Sequence, residues 1–95
     1  MTKIRESARG ENCLVRIPGV CNWDSATVVL AHLGGGGYGM KSPDYLGAYC
    51  CSACHDALDG RVPSEYSRQR LTAYHWHGIG RTLKILVEKG LLIEA

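Results

Sequence analysis

A small α+β domain stapled by a metal ion is the fold class this sequence predicts. Three features support that expectation: a length of 95 residues, an apolar fraction of 45%, and five cysteines. A chain this short supports one hydrophobic core, so residues 1–95 are expected to form a single domain. The apolar fraction is that of an ordinary globular protein and argues against wholesale disorder. A core this small is marginal on its own, and clustered cysteines offer a staple.

The compartment decides which staple. The N-terminal stretch from Met1 to Arg9 carries charges and lacks the apolar run of a secretory signal. No stretch approaches the roughly 18 apolar residues that cross a bilayer, so no membrane partner is expected. The expected location is cytoplasmic, where thiols stay reduced and clustered cysteines indicate metal or catalysis. An odd number of cysteines also suits four ligands and one spare better than a disulfide framework. The net charge of +2 is weakly basic. Lys3, Arg5, Arg9 and Arg16 stand against Glu6 and Glu11 near the N-terminus, which permits phosphate contacts without requiring them.

Taken in order, Cys13 to Ile17 reads as a short strand, reversed by the Pro18-Gly19 turn pair. A second strand is predicted from Thr27 to His32, where β-branched residues are dense. It ends at the glycine-rich run Gly34 to Gly39, which reads as a loop. Ser42-Pro43-Asp44 restarts order, and Tyr45 to Cys50 leads into a short helix from about Ser52 to Leu58, ended by Asp59-Gly60. A long helix follows, with Pro63-Ser64 near its start and Gly90 just past its end. Leu71, Tyr74, Gly78, Ile79, Leu83, Leu86 and Val87 give it an apolar face at helical spacing. Gly78 and Gly80 weaken its middle, leaving open a kink or two shorter helices. Leu91 to Ile93 is a candidate edge strand. The hairpin and core thus occupy about 10–60, and the C-terminal helical segment 64–90.

Cys51 and Cys54 have the spacing that lets two thiolates reach one Zn²⁺ from a tight turn. Cys13 and Cys21 flank the Pro18-Gly19 reversal, so a hairpin brings both sulfurs to one end. The predicted ligands of a structural Zn²⁺ are therefore Cys13, Cys21, Cys51 and Cys54. The plainer reading leaves Cys13 and Cys21 as buried small apolar residues. Cys50 lacks the two-residue spacing to Cys54 and reads as a core side chain pointing away. Cys51 to His55 also matches the c-type haem attachment pattern, but haem would need an oxidising compartment and would leave Cys13 and Cys21 unused; no haem is expected.

His32 closes a strand and opens onto the glycine run, where an imidazole can face a cleft as a proton acceptor. A hydrogen-bonded structural histidine is the plainer alternative. His75 and His77 lie two apart on the long helix, cannot form a helical metal pair, and are assigned surface or packing roles. Tyr38, in the glycine run, has the chemistry to stack on a base.

Ala8-Arg9-Gly10, Val15 to Cys21, Leu30-Ala31-His32, Pro43-Asp44, Cys51 to Asp56 and Arg81-Thr82 together resemble one group of proteins. They are the HNH, or His-Me finger, nucleases, and within them the small nucleases of lambdoid prophages, the YbcO-like family. The resemblance implies a ββα-metal (HNH-like) domain with a long C-terminal helix, encoded by a prophage in a bacterial host. It implies a metal-dependent endonuclease that leaves 5′-phosphate and 3′-hydroxyl ends, with nucleic acid, in first place DNA, as partner. His32 falls where the family's general base lies. His55 falls where the helix supplies a ligand for a catalytic divalent metal, Mg²⁺ or similar. Asp44 lies near the place of the motif's middle asparagine without matching its type. Arg5, Arg9, Arg16 and Arg61 are the candidate phosphate contacts. The chain departs from the pattern at Ala31, where many HNH enzymes carry a metal-holding aspartate. That departure keeps a second class of function in view, a non-catalytic zinc module binding nucleic acid or a protein.

Overall fold

A computed structural model describes residues 3–33 and 43–93. The glycine run after Leu33, with Tyr38, lies outside the described residues. The order is helix α1 (Lys3–Ser7), a 3₁₀ turn at Ser25–Thr27, strand β1 (Val29–His32), a 3₁₀ turn at Asp44–Leu46, strand β2 (Gly47–Cys50), helix α2 (Ser52–Asp59) and helix α3 (Arg68–Glu88). The two strands pair antiparallel, with Val29 opposite Cys50 and His32 opposite Gly47. This is a small α+β arrangement with a two-stranded sheet and a long C-terminal helix. None of the described helices is long and apolar enough to cross a membrane.

An isolated two-stranded sheet is marginal in water, so its free edge must find partners. Here β2 is buried at all four residues. The Tyr49 carbonyl accepts from the Leu14 amide at 2.8 Å, and the Tyr49 amide donates to Thr82 Oγ1 at 3.0 Å. Thr82 in turn donates to the Gly78 carbonyl at 2.8 Å, so this buried hydroxyl is satisfied on both sides. Tyr49 lies wholly inside, with its hydroxyl 2.6 Å from Ser7 Oγ, which ties α1 to the sheet.

The predicted strand from Cys13 to Ile17 does not form. Arg16 has a φ of 54°, in the left-handed region, which no ladder accommodates. The segment is instead held by the Leu14 bond to β2 and by Arg81, whose guanidinium donates to the Leu14 carbonyl at 2.6 Å. The second strand begins at Val29 rather than Thr27, because Asp24 caps a 3₁₀ turn that occupies Ser25–Thr27. The strand at Gly47–Cys50 and helix α1 carried no clear signal in the sequence.

The short helix matches expectation, and Gly60 ends it with a φ of 75° that favours glycine. The long helix begins later than Pro63-Ser64 suggests, because Ser67 is its cap and accepts from the Arg70 amide at 3.1 Å. It is continuous past Gly78 and Gly80. Gly78 is there for close approach: a Cβ would sit 2.7 Å from Val15 Cγ2 and 3.2 Å from Ala48 Cβ. Leu91 to Ile93 forms no strand, since the Leu91 and Leu92 amides fold back onto the Leu86 carbonyl and close the helix end.

Candidate metal centre and histidine cleft

The sulfurs of Cys13, Cys21, Cys51 and Cys54 all lie within 4.8 Å of one another. Four thiolates at about 2.3 Å around one ion would be about 3.8 Å apart at a tetrahedron's edge, and Cys21 and Cys51 Sγ are 3.8 Å apart. A disulfide needs about 2.05 Å, and all five cysteines are free. The geometry therefore suits a metal ion such as zinc.

The backbone prepares the same site. The Cys54 amide donates to Cys51 Sγ at 3.4 Å, so one sulfur both caps α2 and faces the cluster. Backbone amides of Arg16 and Cys51 reach the Cys13 sulfur, that of Trp23 reaches Cys21, and that of Ile17 reaches Cys54. Arg16 and Trp23 are also the two described non-glycine residues with positive φ, at 54° and 57°. The backbone thus adopts an unfavoured conformation at two of the residues whose amides face the sulfurs.

Without an ion, four adjacent thiols cannot all ionise. Hydrogen bonds from Cys50 and Cys54 push the Cys13 thiol well down, while burial pushes Cys21 up to about 11. A hydrogen bond to Cys13 pushes Cys54 up as well. This donor set fits a divalent cation, which would favour the thiolate form at every position. Cys50 is fully buried and outside the four-sulfur group, as expected of a core residue. It does not point away, however: hydrogen bonds to Cys13 and Cys54, then burial, push its thiol up and keep it neutral.

Of the histidines, His55 shares α2 with the cysteine cluster, while His32 lies on β1 and His75 and His77 on α3. His32, at the end of β1, is half-buried, and its Nε2 is 2.7 Å from Asp44 Oδ1. Arg5 Nε reaches the same carboxylate oxygen at 3.2 Å. With Nε2–H donating to Asp44, the lone pair of His32 is on Nδ1. The strand beneath is pinned by His75, which is buried on α3 and donates from Nε2 to the Ala31 carbonyl at 2.9 Å. Burial lowers the His75 pKa, which keeps this ring neutral. His75 thus has the packing role expected of it, and His77 is exposed.

His55 and Asp59 are one turn apart on α2, with His55 Nε2 3.3 Å from Asp59 Oδ2. Asp59 and His32 line one cleft of about 710 Å³, together with Leu33, Leu58, Arg68, Thr72, His75 and Trp76. In the sequence Asp59 marks only the end of a helix; its four-residue spacing from His55 is the signal that pairs them. Of the candidate phosphate contacts, Arg5 sits on Asp44, and Arg61 bridges Asp56 at 3.3 Å and Asp59 at 3.1 Å. Arg9 is exposed, and Arg16 lies beside the cysteine group, its Nε bonded to the Cys13 carbonyl.

Fold and site define a small α+β protein with a four-cysteine cluster that could hold a metal ion and a separate histidine cleft. Residues 2–91 match the family described as "Putative nuclease YbcO". The chain belongs to this family. It is 41% identical to "Putative nuclease YbcO" of Escherichia coli strain K12 over 97% of this chain and 98% of the relative. A relative of the same name from Enterobacteria phage 82 has the same identity and coverage. A solved structure described as that of a "putative bacteriophage protein" from Escherichia coli K-12 superposes with a TM-score of 0.80 at 38% identity, covering 93% of this chain and 100% of the other.

Proposed function

We propose that this protein is a metal-dependent endonuclease hydrolysing phosphodiester bonds of nucleic acid, with DNA as the first substrate to test. The nuclease names of its relatives support the reaction class. The observation that carries the chemistry is the pairing of His32 with Asp44 at a cleft that is also lined by Asp59, the partner of His55. The domain as a whole is read as HNH-like, with zinc in the four-cysteine centre.

In this reading His32 is the general base. Asp44 fixes its Nε2–H tautomer, so Nδ1 accepts a proton from water as that oxygen attacks phosphorus. Arg5 helps hold Asp44 in place. His55 and Asp59 would hold a divalent cation such as Mg²⁺, and Asp59 supplies the carboxylate that Ala31 does not. A cation there would offset charge on the phosphate and on the departing 3′ oxygen. Arg61, already beside Asp59, and Arg5 are placed for phosphate contacts near the reacting group, while Arg9 and Arg16 would contact flanking phosphates.

One observation favours a second reading, a non-catalytic zinc module. Ala31 is buried and has no side-chain ligand atom, so the family's usual place supplies no carboxylate. The two readings part on one experiment. His32→Ala should keep its melt and lose roughly 10²–10⁴ of the Mg²⁺-dependent rate of plasmid cleavage. Full cleavage by that variant removes His32 as the base, and no cleavage by the parent protein favours the module.

A further inference from the structure

The cleft holds more than the proposed hydrolysis needs. Arg68, Thr72 and Trp76 lie at four-residue intervals on α3, so one helical face forms a continuous wall. The opposite side is made by His32 and Leu33 from the end of β1, with Leu58 and Asp59 from the end of α2. Trp76 is 48% exposed, while its neighbour His75 is bonded into the core and fixes the helix backbone that carries it. Leaving half an indole in water forgoes apolar burial on a helix with ample apolar surface to cover. Arg68 anchors the wall, since its Nη1 donates to the Leu58 carbonyl at 2.6 Å.

This composition discriminates between substrates. Duplex DNA turns its sugars and phosphates outward and keeps its bases stacked inside. Phosphates call for N–H donors and positive charge, which His32 and Arg68 can supply here, but the cleft adds two leucines, an indole and the carboxylate of Asp59, which duplex phosphates would not use. An unpaired base, by contrast, has a π-face for stacking and suits an apolar-walled cavity. The volume of about 710 Å³ also falls in the range of roughly 300–1,000 Å³ that groups of small-molecule size occupy.

We propose that Trp76 is a stacking platform for an unpaired base, and that the substrate class is single-stranded nucleic acid or an unpaired segment within a longer strand. The base stacks on the indole between α3 and Leu58, and its neighbouring phosphate lies toward His32. This deepens the nuclease reading and rests on it for the role of His32, but binding can be measured without cleavage.

The test uses the full chain carrying Trp23→Phe, so that Trp76 is the remaining tryptophan, with no added divalent ion. A short oligothymidylate should quench its fluorescence and bind at least tenfold more tightly than a duplex of the same length. Trp76→Ala, followed by anisotropy of a labelled strand, should weaken single-strand binding by roughly tenfold to a hundredfold. Trp76→Tyr should restore most of it, and all variants should keep the parent melting curve. Equal quenching by duplex, or unchanged single-strand binding by Trp76→Ala, overturns the platform. Quenching by the single strand without Mg²⁺-dependent cleavage supports the platform and removes the nuclease reading. Cleavage of duplex and single strand alike, unaffected by Trp76→Ala, removes the platform and leaves the nuclease.

Discussion

The cysteine centre and the histidine cleft are two polar sites built to opposite specifications. At the first, Cys51 and Cys54 are wholly buried, Cys13 is 3% exposed, and backbone amides aim at the sulfurs. At the second, the side chains of His32 and His55 are 21% and 28% exposed, and the partner carboxylates bring their own arginines. Burial with a complete donor set suits an ion that stays for the life of the fold. Partial exposure, with charges that can exchange partners, suits ligands that come and go. Both sites hang from the same short stretch: Cys51 and Cys54 begin α2, and His55 and Asp59 sit on another part of its surface.

The sharpest way to break this contrast is to empty the first site. Structural zinc sites contribute about 10–16 kcal/mol, against a typical total stability of about 5–15 kcal/mol. Cys54→Ser, or a strong chelator, is therefore expected to abolish the cooperative melt followed by circular dichroism. A metal-free protein that still melts cooperatively would make the cysteines ordinary core residues. A smaller effect tests the frame that joins the sites. Gly78→Ala places a methyl 2.7 Å from Val15 Cγ2 and should cost about 1–3 kcal/mol by overpacking. Gly80→Ala meets nothing within 4 Å and should add up to about 1 kcal/mol; urea denaturation compares the two.

The smallest effect concerns pH. The folded-state pKa of His75 is lowered by burial, though the Ala31 carbonyl and Asp59 act the other way and His55 and His32 add to the lowering. The unfolded chain then binds the extra proton first. Its contribution to stability is complete above the ordinary value of 6.5 and is lost as pH falls below it. His75→Gln should flatten that part of the stability profile relative to the parent protein, as read from melting temperatures across the range.

Much of this arrangement was legible in the sequence, for identifiable reasons. The Cys-x-x-Cys spacing and the pair flanking Pro18-Gly19 marked the sulfurs that the fold brings together. Helix α2 and the end of α3 followed from local breakers. The strand at Cys13 to Ile17 failed because serving a sulfur overrode β propensity at Arg16. The buried face of α3 was read from apolar residues alone, so Thr82, whose hydrogen bonds lie within the core, carried no signal, and His75 was given a surface or packing role without its bond to Ala31. The His32–Asp44 and Arg5–Asp44 pairs span 12 and 39 residues, separations at which no local pattern operates. Gly78 looked like a weakness in a helix because the backbone of Val15 that it admits lies more than sixty residues earlier.

If the nuclease reading holds, one site carries metal for structure and the other for chemistry. Zinc content by atomic emission, measured on the parent protein and on the His55→Ala, Asp59→Asn double variant, tests it most directly. Both proteins should carry one zinc per chain and melt alike, while Mg²⁺-dependent cleavage is lost only in the variant. Loss of zinc from the variant, or cleavage that survives it, would contradict that division.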